Sequence, residues 1–95
     1  MIVEAKDVIW KSISEIHKGN IRELDISGLV FHSGLVVSEI KCVRLGDSVT
    51  VDISLIPARR GMSGRFALKV PLDENIRHVL FGPSRVEIWP NYALH

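Results

Sequence analysis

The sequence predicts a small, mainly β domain, built as an antiparallel β-sandwich of six or seven short strands. Two segments, 48–56 and 65–72, alternate apolar and polar residues with the period of two that marks a strand with one buried face. Gly, Pro and Asp residues separate the apolar segments at intervals of roughly ten residues, a spacing typical of sandwiches and small barrels. The 95 residues suffice for one domain with its own core and are too few for two.

The two alternating segments define the predicted core. A one-residue slip in strand register would expose the whole apolar set, so one face of each strand must be buried. Pro71 lacks a backbone N–H and therefore belongs at a strand end or sheet edge. The residues we expect to be buried are Val49, Val51, Ile53, Leu55, Phe66, Leu68 and Val70.

Two shorter strands are predicted near the end of the chain. Segment 76–81 and segment 85–89 flank Gly82, Pro83 and Ser84. Gly-Pro is a turn signal, so these two strands are expected to form a hairpin.

Upstream, segment 35–45 is rich in Val, Ile and Leu and is followed by Gly46 and Asp47. A Gly-Asp pair between two apolar runs favours a two-residue turn, because Gly tolerates positive φ at the first central position. This pattern predicts a hairpin between 35–45 and 48–56.

Segment 21–32 is predicted to be another strand, ending at a Ser33-Gly34 turn. Its apolar residues change phase at Gly28, as they would at a β-bulge.

The segment 1–20 is open to two interpretations. Ile9, Ile13 and Ile16 share one face of a helix, and a helix is the favoured interpretation of this spacing. The many β-branched residues between 8 and 16 instead favour a strand that turns at 17–20. The expected organisation of the single domain 1–95 is therefore this N-terminal segment, a sandwich over 21–89 and a tail over 90–95.

The strand rhythm resembles that of an immunoglobulin-type sandwich. The chain has no Cys…Trp…Cys framework, since Cys42 is its one cysteine, so the resemblance covers architecture alone. A single cysteine excludes an internal disulfide and suits a reducing compartment. We expect a cytoplasmic protein, although a secreted one with a trimmed leader fits the composition too.

Composition limits the classes of partner. The net charge is +1 and no apolar run approaches the length of a membrane span, so we expect a soluble chain without global affinity for nucleic acid or membranes. Hydrophobic residues make up 46% of a small chain, and several fall on both faces of the predicted strands. This surplus predicts a protein partner or self-association, in the first place a homodimer.

A basic loop is the main candidate for ligand binding. The connection 57–64 carries Arg59 and Arg60, and Arg65 and Lys69 follow on the next strand. No acidic residue lies between Ile53 and Leu72, so a phosphate or an acidic protein surface is a suitable partner. As a hairpin loop this connection would be unusually long, and arginines that merely protect a sheet edge are the alternative.

The sequence contains no recognisable catalytic or metal-binding constellation. Cys42 lies among apolar strand residues and is expected to be a buried small hydrophobe. The Gly-x-Ser-x-Gly elbow is missing, and no two histidines have metal-ligand spacing. The four histidines are His17, His32, His78 and His95. We therefore expect no enzyme, metal or cofactor.

Two aromatic residues are candidates for an interface. Trp89 and Tyr92 end the last strand and begin the tail, and aromatic residues are favoured interface anchors. The alternative is that Trp89 closes one end of the core. The sequence as a whole predicts a non-enzymatic interaction or assembly domain, with an anion- or nucleic-acid-binding module as the alternative and a small hydrolase or metal enzyme as the remotest class.

Overall fold

The computed structural model of the chain describes residues 1–32 and 34–92 and confirms the mainly β fold. Within these residues two sheets of three and four strands pack into a β-sandwich. Ser33 of the predicted turn, and His95 in the predicted tail, lie outside the described residues. The strands are β1 (Val8–Lys18), β2 (Ile21–Val30), β3 (Leu35–Leu45), β4 (Ser48–Pro57), β5 (Arg65–Leu72), β6 (His78–Phe81) and β7 (Val86–Trp89), preceded by a short 3-10 turn, η1 (Ala5–Asp7).

The three-stranded sheet has the order β1-β2-β5, and both of its strand pairs are antiparallel. The helix favoured for the N-terminal segment is wrong, because this segment is strand β1 and belongs to the sandwich itself. A bulge at Lys11 changes the phase of β1, so that Ile9 faces solvent and Ile13 packs against the core. Ile9 and Ile13 therefore lie on opposite faces rather than on the one face a helix would give them, and the β-branched residues favour the observed strand.

The bulge predicted at Gly28 is also wrong. Strand β2 alternates regularly through Gly28, and the register shift lies opposite it, between Trp10 and Ser12 of β1. Gly28 faces the core at a point where neighbours leave no space for a side chain. A Cβ there would lie 2.8 Å from the carbonyl oxygen of Ile9 and 3.2 Å from Cζ of Phe66. Gly28 allows the strands to pack closely, and the regular alternation of β2 places Leu29 on the outer face.

The four-stranded sheet has the order β3-β4-β6-β7. Its β3–β4 and β6–β7 pairs are the predicted hairpins, and Gly46 adopts the expected positive φ of 61° in the first of these turns. One pair departs from the antiparallel prediction, since β4 and β6 run parallel. Beyond the end of β6, residues 1–3 continue the pairing along the same edge of β4, through an Ile2–Ser54 bridge.

The core lies between the sheets and contains the predicted alternating residues. Of the seven expected, six are buried, whereas Leu68 is only half-buried against the core. The predictions missed the contribution of the first residues, because Val3 and Ala5 are fully buried on their way from one sheet to the other.

The basic loop is not a hairpin. Strands β4 and β5 belong to different sheets, so the connection between them crosses from one sheet to the other. A crossing must span the width of the sandwich, which explains why this loop is longer than a hairpin turn.

Each edge strand in the described part of the chain carries an irregularity. Strands β1 and β3 have bulges at Lys11 and Ser38, β5 contains Pro71, and β7 is four residues long with Ile88 unpaired in its register. Such features hinder pairing with another strand.

Among the residues that the structure describes, no helix has the length and apolar character needed to cross a membrane.

Candidate functional site: a basic and apolar groove

The structure divides the four predicted cationic residues into two pairs. Arg59 and Arg60 are exposed in the loop between the sheets. Arg65 and Lys69 are exposed on the outer face of β5, the face that points away from the core. None of the four forms an ion pair with a described residue, so each remains available to an external anion.

Backbone hydrogen bonds fix both ends of the basic loop. The N–H of Ala58 donates to the carbonyl of Gly34 at 2.8 Å, and the N–H of Val30 donates to the carbonyl of Gly64 at 2.8 Å. Between them, the N–H of Val37 donates to the carbonyl of Ser63 at 3.0 Å. These bonds join the loop to the ends of β2 and β3, so its arginines project from an anchored backbone.

An open groove of about 710 Å³ lies beside this loop, on the outer face of the three-stranded sheet. Volumes of this size are typical of ligand sites. Its lining combines apolar side chains with two cations, Lys11 and Arg65, and includes no acidic residue. The lining residues are Ile9, Trp10, Lys11, Ser27, Gly28, Leu29, Arg65, Phe66 and Ala67.

Strand register explains the shape of the groove. Ile9, Leu29 and Arg65 lie opposite one another on the three strands and form a row of large side chains. Ser27 and Ala67, a cross-strand pair one step along the same face, are small and leave the floor low. A row of large residues beside a row of small ones produces a trough that runs across the strands.

Exposed apolar side chains gather around this groove. Ile9 is 55% exposed, Leu29 is 38% exposed and Phe31, just beyond β2, is 74% exposed. Met62, at 37%, lies in the basic loop. Elsewhere on the described surface, the large exposed apolar residues are Met1, Ile2, Ile21, Val43 and Leu45.

Sequence reasoning did not find this groove. The misplaced bulge at Gly28 had assigned Leu29 and Phe31 to the buried phase. The available signal was the unbroken alternation of Leu24, Ile26, Gly28 and Val30, all of which are buried.

Comparison with protein-family models, curated proteins and solved structures finds no match.

The predicted interface aromatics contact the core. Trp89 and Tyr92 are half-buried, and the ring of Tyr92 lies edge-to-face with that of Trp10 at a centroid distance of 5.4 Å. Burial raises the pKa of the Tyr92 hydroxyl, and the nearby Trp10 N–H offsets part of that rise. Trp10 also packs on Phe81 at 5.0 Å. Trp10, Trp89 and Tyr92 thus pack against the core, and the interface role of Trp89 and Tyr92 stays a prediction.

Cys42 is exposed, which corrects the expectation of a buried residue. It shares the inward-facing phase of β3 with Ile40 and lies opposite the buried Val51 of β4, but β3 is an edge strand and the Cys42 side chain is exposed there. Partial removal of water around the sulfur raises the pKa of the thiol, and the negative charge of Asp52 raises it further. The thiolate is therefore disfavoured, and with it nucleophilic chemistry.

The histidines within the described residues are distributed over the surface. His17 lies 3.1 Å from Glu15, His32 lies 3.6 Å from Asp7, and His78 pairs with Glu87 across β6 and β7. No cluster of three or more potential metal ligands is present in the described chain.

An ion pair between Arg44 and Asp73 ties the β3–β4 hairpin to the segment after β5. The guanidinium of Arg44 binds the carboxylate of Asp73, and the backbone N–H of Asn75 donates to the same carboxylate. The Arg44 hydrogen bond, and then that of Asn75, lower the pKa of Asp73. This pair lies beside a smaller cavity of about 320 Å³ that also reaches Cys42.

Proposed function

We propose that the chain is a non-enzymatic protein-interaction domain that binds its partner through the groove and the basic loop beside it. The observation that carries this proposal is the coincidence of exposed apolar residues with unpaired cations at one end of the three-stranded sheet. Ile9, Leu29 and Phe31 offer apolar area that water covers in the free protein. Interfaces combine an apolar centre with a polar rim, and Arg is enriched in them.

The edges and reactive groups support the same proposal. Bulges and Pro71 protect the edge strands, which leaves a sheet face as the better docking surface. The raised pKa of Cys42 argues against a thiolate nucleophile.

Affinity capture with matched variants tests the proposal. The immobilised protein is exposed to an extract of the cells that make it, in parallel with Ile9→Ser/Leu29→Ser and with Leu45→Ser. Leu45 is 68% exposed at the tip of the β3–β4 hairpin, so its variant controls for the loss of an exposed apolar residue. We expect a protein that the wild type and Leu45→Ser retain and the groove variant loses. Equal retention by all three would contradict the proposal.

Nucleic-acid binding is the second candidate function, and Phe31 favours it. An exposed aromatic ring can stack on a base, and Phe31 lies next to Val30, which is bonded to Gly64 at the end of the basic loop. The buried Phe66 cannot serve this purpose, as the sequence predicted.

A titration with single-stranded oligonucleotides tests this candidate. Binding should weaken steeply with salt and should fall in Phe31→Ser and in Arg59→Ser/Arg60→Ser. If affinity is unchanged in both variants, the candidate is rejected.

A further inference from the structure

We propose that the groove accepts an extended, acidic peptide segment with apolar side chains, supplied by a partner protein. This inference rests on the proposed interaction function and names the chemistry of the partner. It follows from three properties of the groove: its charge, its shape and its mixed lining.

Charge selects an acidic occupant. Lys11 and Arg65 flank the groove, no acidic residue lines it, and neither cation has an ion-pair partner among the described residues. The basic loop adds Arg59 and Arg60 beside it. Because the whole chain carries a charge of only +1, these cations form a local positive region rather than reflect a basic protein.

The same charges disfavour a second copy on this face. In a two-fold dimer each groove would meet its own equivalent, and Lys11 and Arg65 would face the same cations of the other copy. Like charges that face each other cost free energy, whereas carboxylates of an acidic segment would pair with them.

Shape selects an extended segment rather than a flat surface. The low floor at Ser27 and Ala67, beside the row of Ile9 and Leu29, is a trough into which side chains of a peptide can be placed. A bilayer presents a surface that follows such a trough poorly. The acidic residues Glu23 and Asp25 lie on the same outer face, farther along β2 and outside the groove lining. Glu23 and Asp25 would repel carboxylates of the bound segment, so the acidic part of that segment would lie nearer Arg65.

The test is a titration with a short fluorescent peptide in which Glu and Asp alternate with Leu and Phe. One control peptide replaces the acids by Gln and Asn, and a second replaces Leu and Phe by Gly. We expect binding of the first peptide only, with amide NMR shifts concentrated at Ser27, Leu29 and Ala67 and with affinity that falls as salt rises. No binding, or equal binding of the Gln/Asn peptide, would overturn the inference.

Variants of the protein locate the contact. Arg65→Gln and Lys11→Gln should each weaken binding about two- to fivefold, as expected for exposed charge pairs. Leu29→Ser should weaken it about tenfold or more through lost apolar contact. Arg77→Gln and Leu45→Ser remove an exposed cation and an exposed apolar residue elsewhere and should leave affinity unchanged. Equal losses in these two controls would contradict a site in the groove.

Vesicles that contain phosphatidylserine separate the membrane alternative. If the protein binds these vesicles and not the acidic peptide, the inference is wrong and the face is a lipid surface. If the capture experiment finds a groove-dependent partner while the acidic peptide fails to bind, the interaction function stands and only the acidic class is rejected.

Discussion

At the scale of single residues, Gly28 and Phe66 depend on each other. Gly28 has no side chain, and the ring of Phe66 lies over it on the neighbouring strand, where it contacts Trp10 edge-to-face at 6.1 Å. On the other side of the sheet, the same backbone is part of the groove. The packing that buries Phe66 therefore also fixes the strands on which the groove residues stand.

Phe66→Ala should lower the free energy of unfolding by about 3–5 kcal/mol, because it empties a buried aromatic site. Chemical denaturation measures this loss. Ser27→Ala, next to Gly28 on the outer face, is the matched control and should change stability by no more than about 0.5 kcal/mol. A Phe66→Ala variant as stable as the wild type would mean that the strand faces are assigned wrongly.

Asp73 should titrate below the usual range for an aspartate, since Arg44 and the Asn75 N–H stabilise its charged form. Because the pKa is lower in the folded state, the carboxylate contributes stability above its unfolded pKa, and this contribution is lost as the pH falls through its folded pKa. In Arg44→Gln the pKa should move up toward the ordinary value, as measured by NMR titration. Arg77→Gln should leave it unaltered, and an equal shift in both variants would disprove the pairing.

At the scale of elements, the basic loop combines an anchored backbone with free side chains. Its ends are bonded to β2 and β3, while Arg59 and Arg60 contact no acid among the described residues. Stability and binding should therefore be separable in this loop.

Arg59→Ser/Arg60→Ser should leave the free energy of unfolding within about 0.5 kcal/mol of the wild type, as surface changes usually do. It should weaken binding of any acidic ligand because two cations are lost. Denaturant unfolding checks the first expectation and peptide titration the second. Failure of the variant to fold would show that these arginines are structural.

The strands with one buried face and the hairpins between neighbouring strands were predictable, whereas the pairing of strands distant in sequence was not. Alternation alone identified 48–56, because Val49, Val51, Ile53 and Leu55 are buried on one phase while Ser48, Asp52 and Ser54 lie on the other. The spacing of Ile9, Ile13 and Ile16 wrongly predicted a helix. The bulge in β1 changes which residues face the core, and the amino-acid composition does not reveal where a bulge lies. The pairing of β6 with β4 depends on how the chain crosses between sheets, which residue type does not encode.

The site was predictable in part for the same reason. Arg59, Arg60 and Arg65 were identified by charge and by the lack of nearby acids. The groove beside them is formed by side chains from three strands. Predicting it would have required the strand register that places Ile9, Leu29 and Arg65 in one row. Cys42 was assigned to the correct face of β3 but was expected to be buried, and it is exposed because β3 is an edge strand, a position that alternation does not reveal.

At the scale of the whole molecule, the homodimer remains a prediction from the apolar surplus. Part of that surplus is used within the chain, since β1 and residues 1–3 complete the sandwich. The irregular edge strands hinder strand pairing between two copies, and the like charges around the groove disfavour contact between two grooves.

Light scattering after size exclusion tests self-association, and salt distinguishes its mode. A dimer across the groove should strengthen as salt screens the facing cations, whereas binding of an acidic partner should weaken. Ile9→Ser/Leu29→Ser should abolish such a dimer. A mass near 10.6 kDa that is unchanged on raising the protein concentration would reject it.

The parallel pairing of β4 with β6 also bears on how fast the chain folds. The β1–β2 and β3–β4 hairpins close through two-residue turns, Lys18 to Ile21 and Leu45 to Ser48, whereas β6 can join β4 only after the chain has passed through the other sheet. Contacts between distant parts of a chain form late, so this pairing should be missing from the folding transition state.

Val79→Ala, in β6, should then lower the free energy of unfolding by about 1–3 kcal/mol and speed unfolding while the folding rate stays the same. Ile26→Val, in the β1–β2 hairpin, should slow folding in the same stopped-flow experiment, and the reverse result would mean that the sandwich forms from β6 outward.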